Sequence, residues 1–285
     1  MKKFIILIST LLALAPICFS KNIVPDKLPM PKISVQLWSV KDDVKADFKG
    51  TLKKIAQMGF SGVEFANEFG EFSGDSKAIK LVLDELGLKG SGAHISFEQL
   101  NEQNFDKTVA FYKELGVNML IVGGDERASH PEGIKEIVTL LNNLAKKLAP
   151  FEMKTGFHNH AHEFDAYEGI TYWDYLAQNT SQSVILQQDV GWTTFAGKDP
   201  IEYVKRYPGR TLTTHYKVRL PEGTQGKLPI IGQDTIDWLK LSKANIAVGG
   251  TLWFVVEQEE YPNGLTPLQT VEQSKIGLDK ILKQL

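Results

Sequence analysis

The sequence is poor in cysteine, in clustered basic residues and in glycine-rich phosphate loops. Its only cysteine is Cys18, so no intrachain disulfide can form and the fold must depend on its hydrophobic core. The formal net charge is −2 and no basic patch is present, which argues against a nucleic-acid partner. Residues 36–39, after the first predicted strand, lack the glycines of a dinucleotide-binding turn, which argues against a doubly wound sheet.

The first 20 residues have the pattern of a secretory signal peptide. Two lysines precede an apolar run, Phe4–Ala15, that is too short for a comfortable membrane span, and cleavage is predicted after Ser20. A lipid anchor on Cys18 is the alternative. The residues Ala-Pro-Ile at positions 15–17, however, do not match the sequence that usually precedes a lipidated cysteine. Cleavage would remove Lys2 and Lys3, lower the formal charge from −2 to −4 and leave residues 21–285 as one domain. We therefore expect a periplasmic or secreted protein that makes no membrane contact after cleavage.

The rest of the chain alternates between short apolar segments and longer segments with helical spacing. The predicted strands are Ile33–Leu37, Gly62–Phe65, Lys89–His94, Met119–Val122, Lys154–His160, Val184–Asp189, Thr211–Tyr216 and Leu252–Glu257. The predicted helices are Phe48–Met58, Ser76–Leu86, Asn104–Leu115, Pro131–Leu148, Tyr172–Gln178, Pro200–Arg206, Thr235–Ser242 and Leu268–Leu282. Eight strand–helix units at intervals of roughly thirty residues predict an α/β protein, a single-domain (β/α)8 TIM barrel.

Titratable side chains stand at the predicted C-terminal ends of several strands, where such barrels place their active sites. They are Glu64, His94, His158, His160, Glu163, Asp189, His215, Lys217 and Glu257. Taken singly, Asp189 is typical of a helix cap and His215 of a core histidine. Taken together, carboxylates that converge out of bulk water repel one another, so the set predicts a divalent cation. The ligand types admit Mn²⁺, Zn²⁺, Co²⁺, Fe²⁺ or Mg²⁺ and do not choose among them.

At these residues the sequence resembles the xylose isomerase-like barrels, the sugar phosphate isomerase/epimerase superfamily. The resemblance covers residues 32–285 and is carried by residues 35–40, 59–64, 157–164, 188–192, 215–217 and 256–259. It implies a metal held by an acidic residue on strand five, by Asp189 on strand six, by His215 on strand seven and by Glu257 on strand eight.

The chain departs from the family pattern on two strands. Where many members carry Glu before Asn-His, this chain has His158, so Glu163 is the favoured strand-five ligand and His158 or His160 is the alternative. Val218 replaces the aspartate of the usual His-x-Lys-Asp segment, which puts one contact in doubt, while Lys217 remains.

A metal beside carboxylates and imidazoles suits proton abstraction next to a carbonyl. The resemblance implies that Glu257 is the base. Glu163 or His160 would act on the opposite face of the substrate, and Lys217 would steady the developing oxyanion. The predicted sugar-binding residues are Trp38, Glu64, His94, His158 and Trp192.

The residues do not separate isomerisation, epimerisation and elimination. A secreted enzyme is expected to meet free sugars, keto-sugars or glycosides, and some relatives in the secreted subset act on 3-keto-sugars or 3-keto-glycosides. The main hypothesis is a metal-dependent sugar isomerase or epimerase, and elimination on a 3-keto-glycoside is its first alternative. Two further alternatives are a non-catalytic carbohydrate-binding barrel and an endonuclease-like phosphodiester hydrolase. The excess of acidic over basic residues argues against DNA binding by the hydrolase. The sequence leaves homo-oligomerisation open.

Overall fold

A computed structural model describes residues 30–285, so the predicted signal peptide and its cleavage site lie outside the described residues. Eight parallel strands form a closed barrel, which confirms the predicted (β/α)8 architecture. The strands are β1 Lys32–Gln36, β2 Gly62–Phe65, β3 Lys89–Ile95, β4 Met119–Val122, β5 Lys154–His158, β6 Ile185–Asp189, β7 Thr213–Tyr216 and β8 Trp253–Val256. Each strand pairs with the next along the chain, and β8 closes the barrel onto β1 through the pair Val35 and Val256.

Ten α-helices occur within residues 30–285. They are Lys41–Ala46, Phe48–Gln57, Ser76–Leu86, Phe105–Glu114, Gly133–Leu148, Tyr172–Asn179, Val190–Phe195, Pro200–Arg206, Trp238–Ala244 and Pro267–Leu282. Two of them, Lys41–Ala46 and Val190–Phe195, were not predicted, because six residues are too few to show a helical period. A short hairpin that joins Ala166–Tyr167 to Ile170–Thr171 was not predicted either. None of the helices in this part of the chain combines the length and apolarity that crossing a bilayer requires.

Local sequence sets where the helices begin and end. The side chain of Asp75 accepts a hydrogen bond from the backbone N–H of Ala78 at 2.9 Å and begins the helix Ser76–Leu86. Gly87 ends that helix in the left-handed conformation, with φ of +70°. Gly59 and Gly116, which follow the helices Phe48–Gln57 and Phe105–Glu114, adopt the same conformation.

Strand β2 shows how the barrel separates its two faces. Successive side chains of a strand point to opposite sides, so Val63 and Phe65 pack into the hydrophobic layer outside the barrel while Glu64 points to the axis. Val63 and Phe65 are fully buried, and each contributes about 1.5–3 kcal/mol of burial free energy.

The barrel interior has two layers. The lower layer, near the N-terminal ends of the strands, is an apolar cluster of Met119, Ile121 and Ile185 with Leu212 and Trp253 packed against it. The upper layer, near the C-terminal ends, is polar and includes Gln36, Glu64, Gln187 and His215. Every one of these four polar side chains is inaccessible to solvent, so the polar layer is held by its own hydrogen bonds.

Candidate metal centre

Four side chains from successive strands meet at the C-terminal mouth of the barrel, at the top of the upper layer, to which one of them, His215, belongs. His158 ends β5, Asp189 ends β6, His215 lies in β7 and Glu257 follows β8. One imidazole nitrogen or carboxylate oxygen from each lies within 4.8 Å of the others, and all four residues are buried. We call this group the four-residue cluster. Two imidazoles and two carboxylates are a donor set that suits Mn²⁺, Zn²⁺, Co²⁺ or Fe²⁺.

Asp189 gives the clearest sign that the cluster fits a cation. Its Oδ1 accepts the backbone N–H of Trp192 at 2.8 Å and so begins the helix Val190–Phe195. Its Oδ2 is buried and has no hydrogen-bond partner among residues 30–285. Lys217 Nζ and His158 Nε2 each lie 3.7 Å from that oxygen. Burial raises the pKa of Asp189 to about 7, and a bound cation would relieve the same unfavourable burial.

His215 lies between two carboxylates. Its Nδ1 is 2.9 Å from Glu257 Oε2, and its Nε2 is 2.5 Å from Glu64 Oε1. Burial opposes a charge on the ring, but Glu64 and Glu257 outweigh it and raise the pKa of His215 to about 10. With Nε2 donating to Glu64, the Nδ1 atom would be available to a metal beside Glu257. A carboxylate behind a ligating histidine is the usual way to fix the orientation of its ring.

The structure places Glu64 behind the cluster as a support, whereas the sequence predicted a contact with substrate. It is fully buried, and its carboxylate accepts hydrogen bonds from Gln36 Nε2 and Gln187 Nε2, each at 2.8 Å. Burial alone would raise its pKa, but His215 and His94 lower it below the ordinary value. The sequence analysis missed both glutamines. Gln187 lies two residues before Asp189 and therefore on the same face of β6, which is the signal that could have identified it.

On strand five the structure brings His158 to the cluster and leaves Glu163 outside it. Glu163 lies in the turn His162–Phe164, where its Oε2 accepts the backbone N–H of His160 at 2.7 Å. His158 Nδ1 lies 3.1 Å from Gln187 Oε1, while Nε2 faces Asp189. The geometry therefore favours the alternative His158 over Glu163 as a ligand, because the turn after β5 uses the Glu163 carboxylate to hold its own backbone.

Lys217 is a buried ammonium beside the cluster. Its Nζ lies 3.4 Å from Glu257 Oε2, pairs with Glu259 and faces the ring of Trp192 at 5.2 Å from the centroid. Burial would lower its pKa, but the carboxylates of Glu257, Asp189 and Glu259 raise the pKa of Lys217 above the ordinary value. Lys217 therefore stays charged at neutral pH, as a stabiliser of an oxyanion must.

A pocket of about 420 Å³ opens above the cluster, and we call it the inner pocket. Its lining includes Trp38, His94, His158, His160, Lys217 and Glu257, so most of the predicted site residues converge there. Trp38 is 44% exposed at the rim, with the ammonium of Lys41 3.6 Å from its ring centroid. Trp192 does not line the pocket and instead packs on His160, with ring centroids 5.5 Å apart. The predicted contact of Trp192 with the sugar stays a prediction.

Two glycines that the sequence analysis missed create space in the inner pocket. A Cβ atom on Gly123 would lie 2.7 Å from His94 Nδ1, and one on Gly124 would lie 3.2 Å from His160 Cε1. A side chain at either position would crowd the space beside these histidines. Their position directly after β4, at the active end of a barrel strand, was the available signal.

Two of the groups that line the inner pocket, His160 and Glu257, are candidate proton acceptors. Burial lowers the pKa of His160 to about 4, so its imidazole is neutral at neutral pH. Burial would raise the pKa of Glu257, but Lys217 and His215 hold it well below the ordinary value, so this carboxylate is ionised. The pocket thus combines two bases, a fixed ammonium and a cluster able to hold a cation.

No protein-family model matches the chain. Two similar curated proteins cover most of it. The rhizopine catabolism protein MocC from Rhizobium meliloti is 24% identical over a 254-residue alignment, and the match covers 76% of this chain and 76% of that protein. An inosose dehydratase from Clostridium botulinum is 23% identical over a 263-residue alignment, and the match covers 78% of this chain and 85% of the enzyme.

Solved structures share the barrel over almost its full length. A sugar phosphate isomerase/epimerase from Parabacteroides distasonis superposes with a TM-score of 0.74 at 21% identity, covering 89% of this chain and 96% of the other. An L-ribulose 3-epimerase superposes with a TM-score of 0.63 at 13% identity, covering 90% of this chain and 97% of the other. A xylose isomerase domain protein from Alicyclobacillus acidocaldarius superposes with a TM-score of 0.66 at 14% identity, covering 90% of this chain and 99% of the other. These matches confirm the resemblance to the xylose isomerase-like barrels, at the level of the fold.

Proposed function

We propose that this protein is a divalent-metal enzyme that removes a proton from a carbon next to the carbonyl of a sugar or keto-sugar. The observation that carries the proposal is the four-residue cluster, two members of which, His158 and Glu257, line the inner pocket together with the Lys217 ammonium. The names of two similar proteins, an inosose dehydratase and an L-ribulose 3-epimerase, describe a dehydration and an epimerisation. Both kinds of reaction can begin with such a proton transfer.

His158, Asp189, His215 and Glu257 would hold the metal. The buried Asp189 Oδ2 without a partner in the described chain is the structural reason to expect a cation there. When bound, the metal would supply Lewis acidity to the carbonyl and hydroxyl oxygens of the substrate and stabilise negative charge as it develops. Glu64 and Gln187 would orient the two ligating imidazoles from below.

Glu257 and His160 would move the proton. Both line the inner pocket, Glu257 directly after β8 and His160 in the segment after β5, so they would approach a bound ring from different sides. Glu257 is ionised and His160 is neutral at neutral pH, as each must be to accept a proton. Glu163 positions His160 through the backbone hydrogen bond at 2.7 Å. Lys217 would steady the oxygen that becomes negative.

The fate of the proton decides the reaction. If it returns to the same carbon from the other face, the product is an epimer, and if it returns to the neighbouring carbon, the product is an isomer. If the C–O bond on the next carbon breaks, a C=C bond forms and the departing oxygen takes the proton. We place isomerisation or epimerisation first. Elimination, as on a 3-keto-glycoside, is the second candidate, favoured by the similarity to an inosose dehydratase.

The proposed location is the periplasm or the outside of the cell, supported by the leader-like pattern of residues 1–20. In that location free sugars, keto-sugars and glycosides are the available substrates. Mass determination of the protein from a periplasmic fraction would test this, because cleavage after Ser20 leaves a chain that begins at Lys21. A full-length cytoplasmic species would contradict the proposed location.

The proposed chemistry is tested by incubating the purified protein with Mn²⁺ and a panel of keto-sugars in D₂O. Deuterium should enter one C–H position next to the carbonyl, as detected by proton NMR. Glu257→Gln should slow this exchange by about 10²–10⁴-fold, because a positioned base typically contributes that much. Glu272→Gln, an equivalent change on the exposed side of the last helix, should leave the exchange rate unchanged.

The same panel separates the rival functions. Sugar binding without exchange and without product would favour a carbohydrate-binding barrel and contradict the proposed enzyme. Cleavage of a duplex that contains an abasic site would favour the phosphodiester hydrolase. Exchange that survives in Glu257→Gln at the wild-type rate would show that another group is the base.

A further inference from the structure

We propose that the substrate carries a second ring, linked through a glycosidic oxygen, and that this ring binds in a separate cavity beside the inner pocket. The cavity has a volume of about 440 Å³ and lies between the mouth of the barrel and the helix Phe105–Glu114, and we call it the outer pocket. The inference rests on the proposed function, because it names the kind of sugar compound that the same site would accept.

The two pockets are adjacent. Asn67 and Ser96, which follow strands β2 and β3, line both of them. At about 420 and 440 Å³, each pocket lies within the usual size range of small-molecule sites. A single sugar ring held above the cluster would therefore leave the outer pocket open to whatever group is attached to it.

Asn67 lines both pockets, and hydrogen bonds hold its side chain in place. Its backbone has φ of +62°, a conformation that a non-glycine residue adopts only when its surroundings stabilise it. Its Nδ2 donates to the carbonyl oxygen of His94 at 3.1 Å, and its Oδ1 accepts from Gln99 Nε2 at 2.9 Å and from the Tyr112 hydroxyl at 3.2 Å. These contacts connect the wall of the outer pocket to His94, which lines the inner pocket.

The lining of the outer pocket suits a ring that has both apolar faces and polar edges. Phe69 and Phe111 meet edge to face with centroids 5.3 Å apart, and the buried Tyr112 packs against Phe111 at 5.2 Å. Asn104 and Lys107 add polar groups, and Lys107 is exposed. Aromatic side chains pack on the C–H faces of a sugar ring or on an aryl ring, while amide and ammonium groups bind its oxygen substituents.

The test compares matched substrates that share one keto-sugar. The probes are its methyl glycoside, its 4-nitrophenyl glycoside and the disaccharide in which the second ring is glucose. At least one of the two-ring probes should be turned over with kcat/KM about tenfold or more above that of the methyl glycoside, a gain of about 1.4 kcal/mol. The aryl and disaccharide arms show which kind of second ring the outer pocket takes.

Phe111→Ala should reduce that ratio towards one. Phe105→Ala is the matched control, because Phe105 lies on the same helix, packs on Phe151 and does not line the outer pocket. Lys107→Ala, at an exposed position, provides a second variant with little risk to folding. A wild-type ratio near one, or a ratio that Phe111→Ala and Lys107→Ala both leave unchanged, would overturn the inference.

Failure of the inference can be distinguished from failure of the proposed function. Turnover of all probes at equal kcat/KM would contradict the outer pocket and leave the proposed chemistry intact. If no probe is turned over, saturation-transfer NMR with the 4-nitrophenyl glycoside tests the pocket alone. Contact of its aryl protons with the protein that is lost in Phe111→Ala would support the inference, and contact that is absent or unaffected would overturn it.

Discussion

The two layers of the barrel interior differ in how they are stabilised. The lower layer, built on Met119, Ile121 and Ile185, is apolar and fills its space by packing alone. The upper layer is polar, and hydrogen bonds run across it from Glu64 on β2 to Gln187 on β6. Above it, one oxygen of Asp189 remains without a partner in the described chain. The comparison teaches that packing alone satisfies the lower layer, whereas the polar region leaves one buried carboxylate oxygen unpaired within the described residues, and that oxygen is where we propose that a cation binds.

The two layers also differ in how a substitution changes the free energy of the protein. Removing atoms from packed apolar side chains destabilises the fold by the lost burial and the cavity left behind. Buried carboxylates and imidazoles depend on one another, so each shifts the pKa of its neighbours, as His215 and Glu257 do. Variants in the lower layer should therefore change stability and leave metal binding intact, and variants in the upper layer should change metal binding more than stability.

Ile185→Ala should have the largest effect on stability. Ile185 is 1% exposed, and removing three carbon atoms leaves a cavity that costs about 2–5 kcal/mol of unfolding free energy. Denaturant unfolding of the metal-free protein measures the loss, and Ile185→Val, at about 0.5–1.5 kcal/mol, is the graded control. Metal stoichiometry at saturation should stay at the wild-type value. Loss of metal in Ile185→Val would show that the layers are not independent.

Glu64→Ala should weaken metal binding by about 10–100-fold, the usual effect of removing the group behind a ligating histidine. The variant also lowers the pKa of His215, which makes its proton easier to displace. The two effects oppose each other at neutral pH, so the loss should be fullest near pH 9 and smaller near pH 6. Competition with a fluorescent chelator measures the affinity, with Glu71→Ala as the control at an exposed carboxylate. An unchanged affinity at pH 9 would contradict the supporting role of Glu64.

The smallest expected effect is a change in proton release on metal binding. His215, with a pKa of about 10, should lose one proton to the metal across the neutral range. Asp189, with a pKa of about 7, is mostly protonated at pH 6 and mostly ionised at pH 8. The protons released should therefore fall from about two at pH 6 to about one at pH 8. Calorimetry in buffers of different ionisation enthalpy measures this number, and a constant value across that range would contradict the assignment for Asp189.

The strands were predictable because a buried strand appears in the sequence as a short run of apolar residues. Gly62–Phe65 and Met119–Val122 agree with the structure at both ends, since short apolar runs between turn residues have few alternatives. Asp189, His215 and Glu257 were predictable as a group for a similar reason. Once the strands are placed in a barrel, residues at their C-terminal ends must converge.

The supports of the cluster were not predictable in the same way. Gln187 and Glu64 are 123 residues apart, and their hydrogen bond exists only because β2 and β6 face each other across the closed barrel. The choice between His158 and Glu163 depended on the turn after β5, where a backbone N–H captures the Glu163 carboxylate. A few local hydrogen bonds decide which of the two residues reaches the cluster, and they leave no periodic pattern in the sequence.

The metal content of Asp189→Ala tests the central claim most directly. Elemental analysis of the purified variant should show metal lost relative to wild type, and His215→Ala should show the same loss. Asp199→Ala is the matched control, because Asp199 caps a helix as Asp189 does, by accepting the backbone N–H of Ile201 at 2.8 Å, but is not part of the cluster. Full metal stoichiometry in both Asp189→Ala and His215→Ala would contradict the metal centre described here.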